Sequence, residues 1–454
     1  MEQTTPQTPL HAGAVPSTLQ SPAAARFWIA VLLTGAATGL GAAGLTRLLE
    51  LVQRLAWSGS PTDILDAALH ASVGRHLMVL IGAGLVTGAG QLILRKVSSA
   101  NGIDTTAAIW FHAGRMPAIR TLGSALLSVI IVGMGVSLGR EGAPKQAGAV
   151  FANLFSDWGK LSDEQRRLLV ACGSGAGMGA AYGVPLGGAL FSLEVMRGVL
   201  ALRFVLPALF ASLVATAVSW LFLPDAPTYH IPSFSNSASA NLWALIAGPV
   251  AGLVSVGYVR MVSWADRHRP QGWWRLVAPI VGLGLLGVVS IWFPQLLGNG
   301  KDISQLAFAG QVAPALLLTI FVLKPAMVVL CMSSGAPGGL FTPSLTVGAM
   351  LGGVLGYAWS FLWPGVPPGL FALLGAGAVL AATTQGPISS VVLLMELTGH
   401  DRSFILPLLI AACSATLVAR SIETRSIYDA RLTDDEIAAR QKLRDRPIST
   451  DAIM

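Results

Sequence analysis

The sequence predicts an all-α integral membrane protein, a two-fold repeat of tilted and broken transmembrane helices. Three observations carry that expectation. Of 454 residues, 53% are hydrophobic and 11% charged, with a mean hydropathy of +0.66, whereas an average soluble domain is about 25% charged. The apolar runs are interrupted by glycine and proline, and several fall short of the roughly 20 residues of a straight crossing. Such partial crossings survive only where their loose backbone ends are buried in protein or line a wet cavity. The third observation is that the chain is written twice.

Along the chain, residues 1–26 are polar and rich in Pro, Ser and Thr. They lack the basic head and apolar middle of a secretory signal and are expected in the cytoplasm. A first membrane repeat, 27–223, holds apolar stretches at 27–49, 77–94, 122–138, 168–198 and 204–223. An inter-repeat linker, 224–241, leads to a second repeat, 242–428, with stretches at 242–262, 276–293, 313–331, 345–363, 369–382 and 404–419. The tail, 429–454, is charged and carries Arg440 and Lys442; basic residues flanking a final span favour the cytoplasmic side. Cys172, Cys331 and Cys413 stand alone in apolar surroundings and read as small buried hydrophobes, so no disulfide or metal site follows. The net charge of +7 reads as loops facing anionic lipid; with no basic helix interleaved with aromatics, nucleic acid is not a partner.

The duplication rests on five blocks that recur in the same order at offsets of about 200. GAATGLGAAGLTR (35–47) lies over GPVAGLVSVGYVR (248–260), and Gly82, Gly84 and Leu85 over Gly282, Gly284 and Leu285. Asn101-Gly102 meets Asn299-Gly300, and Gly139 and Gly148 meet Gly339 and Gly348. Last, GSGAGMGAAYGVPLGGALFSLEV (173–195) lies over GAGAVLAATTQGPISSVVLLMEL (375–397), which pairs Glu194 with Glu396. Two membrane halves with broken helices are the pattern of transporters whose site lies near the midplane, where helix ends converge.

Both halves place a Gly-rich turn just before an apolar helix: SLGREGAPKQAGAV in the first, SSGAPGGLFTPSLTVGA in the second. A helix start offers unpaired N–H groups and partial positive charge, so it attracts anions without a full cation. Glycine lets the backbone approach the ion, and a conducting site must bind firmly enough to admit an ion and weakly enough to release it. Physics therefore points to an anion pathway. Glu141, next to Arg140 in an almost uncharged run, is the exception that asks for a role. An acid in a first helical turn can simply complement the dipole, but a charge at membrane depth costs about 2.5–3.5 kcal/mol on insertion scales, and other helix starts in the chain manage without one.

GREGAP (139–144), GGLFTP (338–343), the FSLEV helix ending at Val195, and Tyr428 in SIYDA after the last span together resemble the CLC family of chloride channels and chloride/proton exchangers. The likeness runs over residues 27 to 432 and is nearest the shorter bacterial ClcB-like members. It implies the CLC fold, a two-fold inverted repeat of tilted and broken transmembrane helices, with a bacterial inner-membrane location and both termini cytoplasmic, a homodimer with one pore per subunit, chloride or a similar small anion as cargo, and no cofactor. It assigns gating to Glu141. Anion binding falls to Asn101, Gly102, Arg140, Gly142, Leu340, Phe341 and Tyr428, with the Leu340 and Phe341 amides facing the ion and the Tyr428 hydroxyl contacting it from the cytoplasmic side.

Two departures bear on mechanism. The family's first anion loop usually reads Gly-Ser-Gly-Ile-Pro, whereas this chain has Ala100-Asn101-Gly102-Ile103-Asp104, which opens the choice among chloride, nitrate and fluoride. Well-known exchangers of the family carry an inner glutamate directly after the position of Glu194; here it is Val195, which relays no proton. The expectation is a passive voltage- or pH-gated conductance able to shunt charge, with a proton-coupled antiporter as the alternative. Glu194 and Glu396, matched in the two halves, are expected to brace the fold. No HExxH, GxSxG or paired membrane histidines support an enzyme, and no acidic cluster supports a cation-coupled carrier.

Overall fold

The computed structural model of the chain describes residues 22–58, 64–98, 103–399, 402–430 and 432–444. The first half runs α1 (Pro22–Trp57), α2 (Ile64–Leu69), α3 (Val73–Val97), α4 (Thr105–Phe111), α5 (Ala118–Gly133), α6 (Gly142–Trp158), α7 (Asp163–Tyr182), α8 (Pro185–Phe191) with a π-helical turn over Ser192–Arg197, and α9 (Leu202–Ser219). The second runs α10 (Ala238–Arg267), α11 (Trp274–Ser290), α12 (Lys301–Phe308), α13 (Pro314–Ser333), α14 (Phe341–Ser360), α15 (Pro368–Thr384), α16 (Pro387–Thr398) and α17 (Ile405–Ile422), followed by α18 (Asp434–Arg444). Among the described residues, six helices are long and apolar enough to cross a membrane. The 36 residues of α1 extend about 54 Å, well beyond the roughly 30 Å of bilayer hydrocarbon, so this helix is tilted or projects from the membrane.

The order of elements repeats, and so do the breaks between them. Gly135 and Gly335 hold φ of 98° and 97° in the turns before α6 and α14, a conformation open to glycine at little cost. Left-handed residues, Gly183 at 69° and Gln385 at 56°, end α7 and α15, and Pro185 and Pro387 open the next helices. The stretch 168–198, expected as one apolar unit, is therefore two helices and a π-turn, because Gly183 and Pro185 stop the hydrogen-bond ladder. Helices α6 and α16 were not among the expected stretches. Lys145, Asn153 and Asp157 break up the apolar run of α6, and α16 has only 12 residues.

Close approach explains why particular glycines are duplicated. A Cβ on Gly148 would strike the Gly173 carbonyl, and one on Gly173 the Gly148 carbonyl; Gly348 and Gly375 oppose one another in the same way. Small residues let the backbones of α6 and α7, and of α14 and α15, come together where lipid supplies no hydrophobic drive for helices to associate.

Two glutamates tie the halves together. Glu194 accepts hydrogen bonds from the amides of Ile388 and Ser389 at 3.2 and 2.6 Å, at the start of α16. Glu396 accepts from Leu186 and Gly187 at 3.0 and 2.6 Å, at the start of α8. Each caps the other half's helix and complements its dipole, so these residues brace the fold, as their duplication suggests. Replacing Glu396 by Ala leaves two amides without an acceptor; a loss of about 1–3 kcal/mol is expected, read as a lower unfolding temperature in detergent, with Glu194→Ala showing a matching loss.

Candidate functional site

The two Gly-rich turns, 200 residues apart in the chain, meet in space. Gly139 and Gly339 form an isolated antiparallel bridge, exchanging N–H···O bonds of 2.7 Å in both directions. This pairing brings the start of α6 against the start of α14. Glu141, 1% exposed, is the residue preceding α6 but makes no cap bond to its own helix. Its carboxylate instead reaches across to the other repeat, where Oε1 accepts from the Phe341 amide at 2.7 Å and Oε2 from Thr342 Oγ1 at 3.1 Å, while Tyr182 Oη of its own repeat lies 3.3 Å from Oε2. The carboxylate thus does more than complement the dipole of α6, since it occupies donors in the first turn of α14. The Tyr182 and Thr342 hydroxyls also lie 2.9 Å from one another; with one proton each, the pair can make two of these three hydrogen bonds at a time.

On one side of Glu141 lies a cavity of about 190 Å³, lined in part by Arg140, Tyr182, Asn299, Lys301 and Asp302. The Arg140 guanidinium sits 4.9 Å from the centroid of the Tyr182 ring, so it faces this cavity and not the chamber of Tyr428, a difference from the single cluster implied by the sequence. On the other side a cavity of about 50 Å³ is lined by Glu141, Gly142, Lys145, Leu340, Tyr428 and Asp104, among others. Asp104, Gly142 and Gln146 also line a third cavity of about 590 Å³, whose walls carry Arg95, Arg120, Arg267, Arg269 and Arg275. Asp266, paired with Arg269 at 2.8 Å, and Glu436 line it too, which leaves an excess of positive charge that favours small anions there. Glu141 therefore lines a narrow chamber that shares walls with a basic one, and Tyr182, beside its carboxylate, lines the first cavity.

Tyr428 is held in place by its own turn. Ser426 and Asp429 form a capping box around Ile427–Asp429, and Asp429 pairs with Arg440 of α18. The ring packs edge-on against Phe191, centroids 5.4 Å apart, and its hydroxyl is buried with no hydrogen-bond partner among the described residues. Of the residues singled out in the sequence, Glu141, Gly142, Leu340 and Tyr428 line the narrow chamber, and Phe341 supplies the amide above it. Asn101 and Gly102 lie outside the described residues. Their neighbour Asp104 caps α4 by accepting from the Thr106 amide at 2.9 Å. Val195 is buried, 4% exposed, in the π-helical turn. Sequence reading missed Tyr182, Thr342 and Lys145; for Lys145 the signal was present, a cation one helical turn after Glu141 in a nearly uncharged stretch.

A family model described as voltage gated chloride channel matches residues 83–420. The chain belongs to the voltage-gated chloride channel family. Its similarity to individual members is moderate: it is 33% identical over 313 residues to proteins of Salmonella arizonae and Citrobacter koseri, each named H(+)/Cl(-) exchange transporter ClcA, covering 66% of this chain and 66% of each relative. The alignment thus spans just under two thirds of those curated relatives. Among solved structures, that of a slow cyanobacterial Cl-/H+ antiporter superposes with a TM-score of 0.78 at 22% identity, covering 91% of this chain and 98% of that one. A CLC-type fluoride/proton antiporter gives 0.71 at 20% identity over 90% and 98% of the two chains. These structures share the family's fold: inverted repeats of tilted, broken helices around converging helix starts.

Proposed function

We propose that the chain exchanges chloride for protons across a bacterial inner membrane, with Glu141 as the group that both vacates the anion path and carries the proton. One observation bears most of the weight: the Glu141 carboxylate, in the wall of the narrow chamber, occupies donors that an anion would use. Protonation converts it from an acceptor into a group that no longer claims the Phe341 amide as a charged partner, and that helix start is freed for chloride. The names of the relatives support exchange over the passive conductance expected from Val195, since those compared are exchange transporters or antiporters. In this reading the repeats over 27–223 and 242–428 each contribute one helix start, the chain works as a homodimer in the bilayer, both termini face the cytoplasm, and Asn101, Gly102, Gly142, Leu340, Phe341 and Tyr428 contact the ion, with Arg140 drawing it from the opposite chamber.

The test is a chloride gradient across proteoliposomes with the membrane voltage clamped and internal pH followed by a dye. Uphill proton movement in fixed proportion to chloride is expected. Chloride flux with no proton movement would return the passive conductance, and flux that follows a sodium or potassium gradient alone would exclude both.

A further inference from the structure

Lys145 is a charged side chain in an unexpected place. It follows Glu141 by one turn of α6, is 7% exposed, and lies in a segment where a charge is costly to bury. Its Nζ stands 4.3 Å from the centroid of the Tyr428 ring, and both residues line the narrow chamber next to Glu141. The Tyr428 hydroxyl, buried and without a partner among the described residues, is a donor in want of an acceptor at the same place. An ammonium and an unused hydroxyl thus converge on one small cavity.

We propose that Lys145 is a direct anion ligand, holding one small anion together with the Tyr428 hydroxyl in the chamber between Glu141 and the arginine-lined cavity. This rests on the anion-transport reading above and adds a full positive charge to a site otherwise made of helix starts. The chamber's roughly 50 Å³ gives room for one or two water molecules, enough for a halide or a small triatomic anion. Lysine suits a spherical ion, being a compact point charge with three rotatable donors, whereas the planar fork of arginine matches oxyanions. Asp104 lines the same chamber; its charge offsets that of the ammonium, so that the ion is held without being trapped. The tyrosine ring face orients the ammonium through its quadrupole.

The experiment is chloride titration by calorimetry of the purified full chain, comparing wild type with Lys145→Met and Lys145→Arg, each alone and combined with Glu141→Gln. Lys145→Met is expected to weaken chloride binding roughly 30-fold, in both backgrounds, with the elution profile and unfolding temperature retained. Lys145→Arg is expected to keep binding but shift the chloride-to-nitrate preference toward nitrate by threefold or more. Chloride affinity within twofold of wild type in Lys145→Met overturns the proposal, as does a loss that disappears in the Glu141→Gln background, which would make Lys145 a positioning residue for Glu141. Should Lys145→Met fail to fold, the arginine variant decides, and an unchanged anion preference overturns the proposal. Wild-type protein that binds no chloride overturns the transport reading and this one together, whereas wild-type binding that Lys145→Met leaves intact removes only this one.

Discussion

Glu141→Gln is expected to abolish proton movement and to leave chloride flux that no longer varies with pH. The reason lies in the three donors around the carboxylate, the Phe341 amide and the Thr342 and Tyr182 hydroxyls. Hydrogen bonds to a charged acceptor contribute about 1.5–3 kcal/mol where neutral ones contribute about 0.5–1.5, so a neutral amide competes for these donors much less well than the carboxylate does. It has no proton to exchange within the titration range of a carboxyl group. Flux and pH recorded in the same liposomes settle the matter. If the variant keeps a wild-type pH profile, Glu141 is a structural ligand of α14 and the exchange mechanism needs another carrier.

Gly339→Ala is expected to cut transport by roughly tenfold or more. An added Cβ would meet the Glu141 carboxylate and, at 2.8 Å, the backbone nitrogen of Gly142. The carboxylate can swing aside, but the nitrogen belongs to the first residue of α6 and moves only with the helix. Overpacking of this kind costs about 1–3 kcal/mol, which is one to two decades in an equilibrium, and the cost falls on the contact that brings the two helix starts together. Initial chloride flux at matched protein density is the measurement; flux equal to wild type would mean that the Gly139–Gly339 bridge does not shape the pathway.

The parts of the site that were legible in the sequence share one property: each is tied to a local signal or to its duplicate. Glu141 stood out as a charge in an apolar run, Leu340 and Phe341 by the Gly-rich turn before α14, and the brace glutamates because they recur at matching places. Tyr428 needed the whole set of motifs, since one aromatic after a span is an ordinary interfacial anchor. Tyr182 lay beyond reach because its role depends on contacts 41 and 160 residues away along the chain, which no spacing rule encodes. The break between α7 and α8 was written in Gly183 and Pro185, yet the hydropathy of 168–198 runs through it, and apolar content outweighed the stop signals. The mechanism leaned on Val195, a single position, whereas proton access to Glu141 depends on everything that lines the chambers around it.

The crossed caps of Glu194 and Glu396 also impose an order on how the protein is made. The amides that Glu194 serves are 194 and 195 residues further on, and Glu396 arrives 209 and 210 residues after the amides it serves. At about 5–20 residues per second, a ribosome takes roughly 10–40 s to close that gap. Throughout that interval the start of α8 and the Glu194 carboxylate lack their partners, and neither can enter hydrocarbon unsatisfied at low cost. The start of α8 is therefore expected to stay out of the hydrocarbon, at the membrane surface or inside the insertion machinery, until α16 emerges and both locks close together.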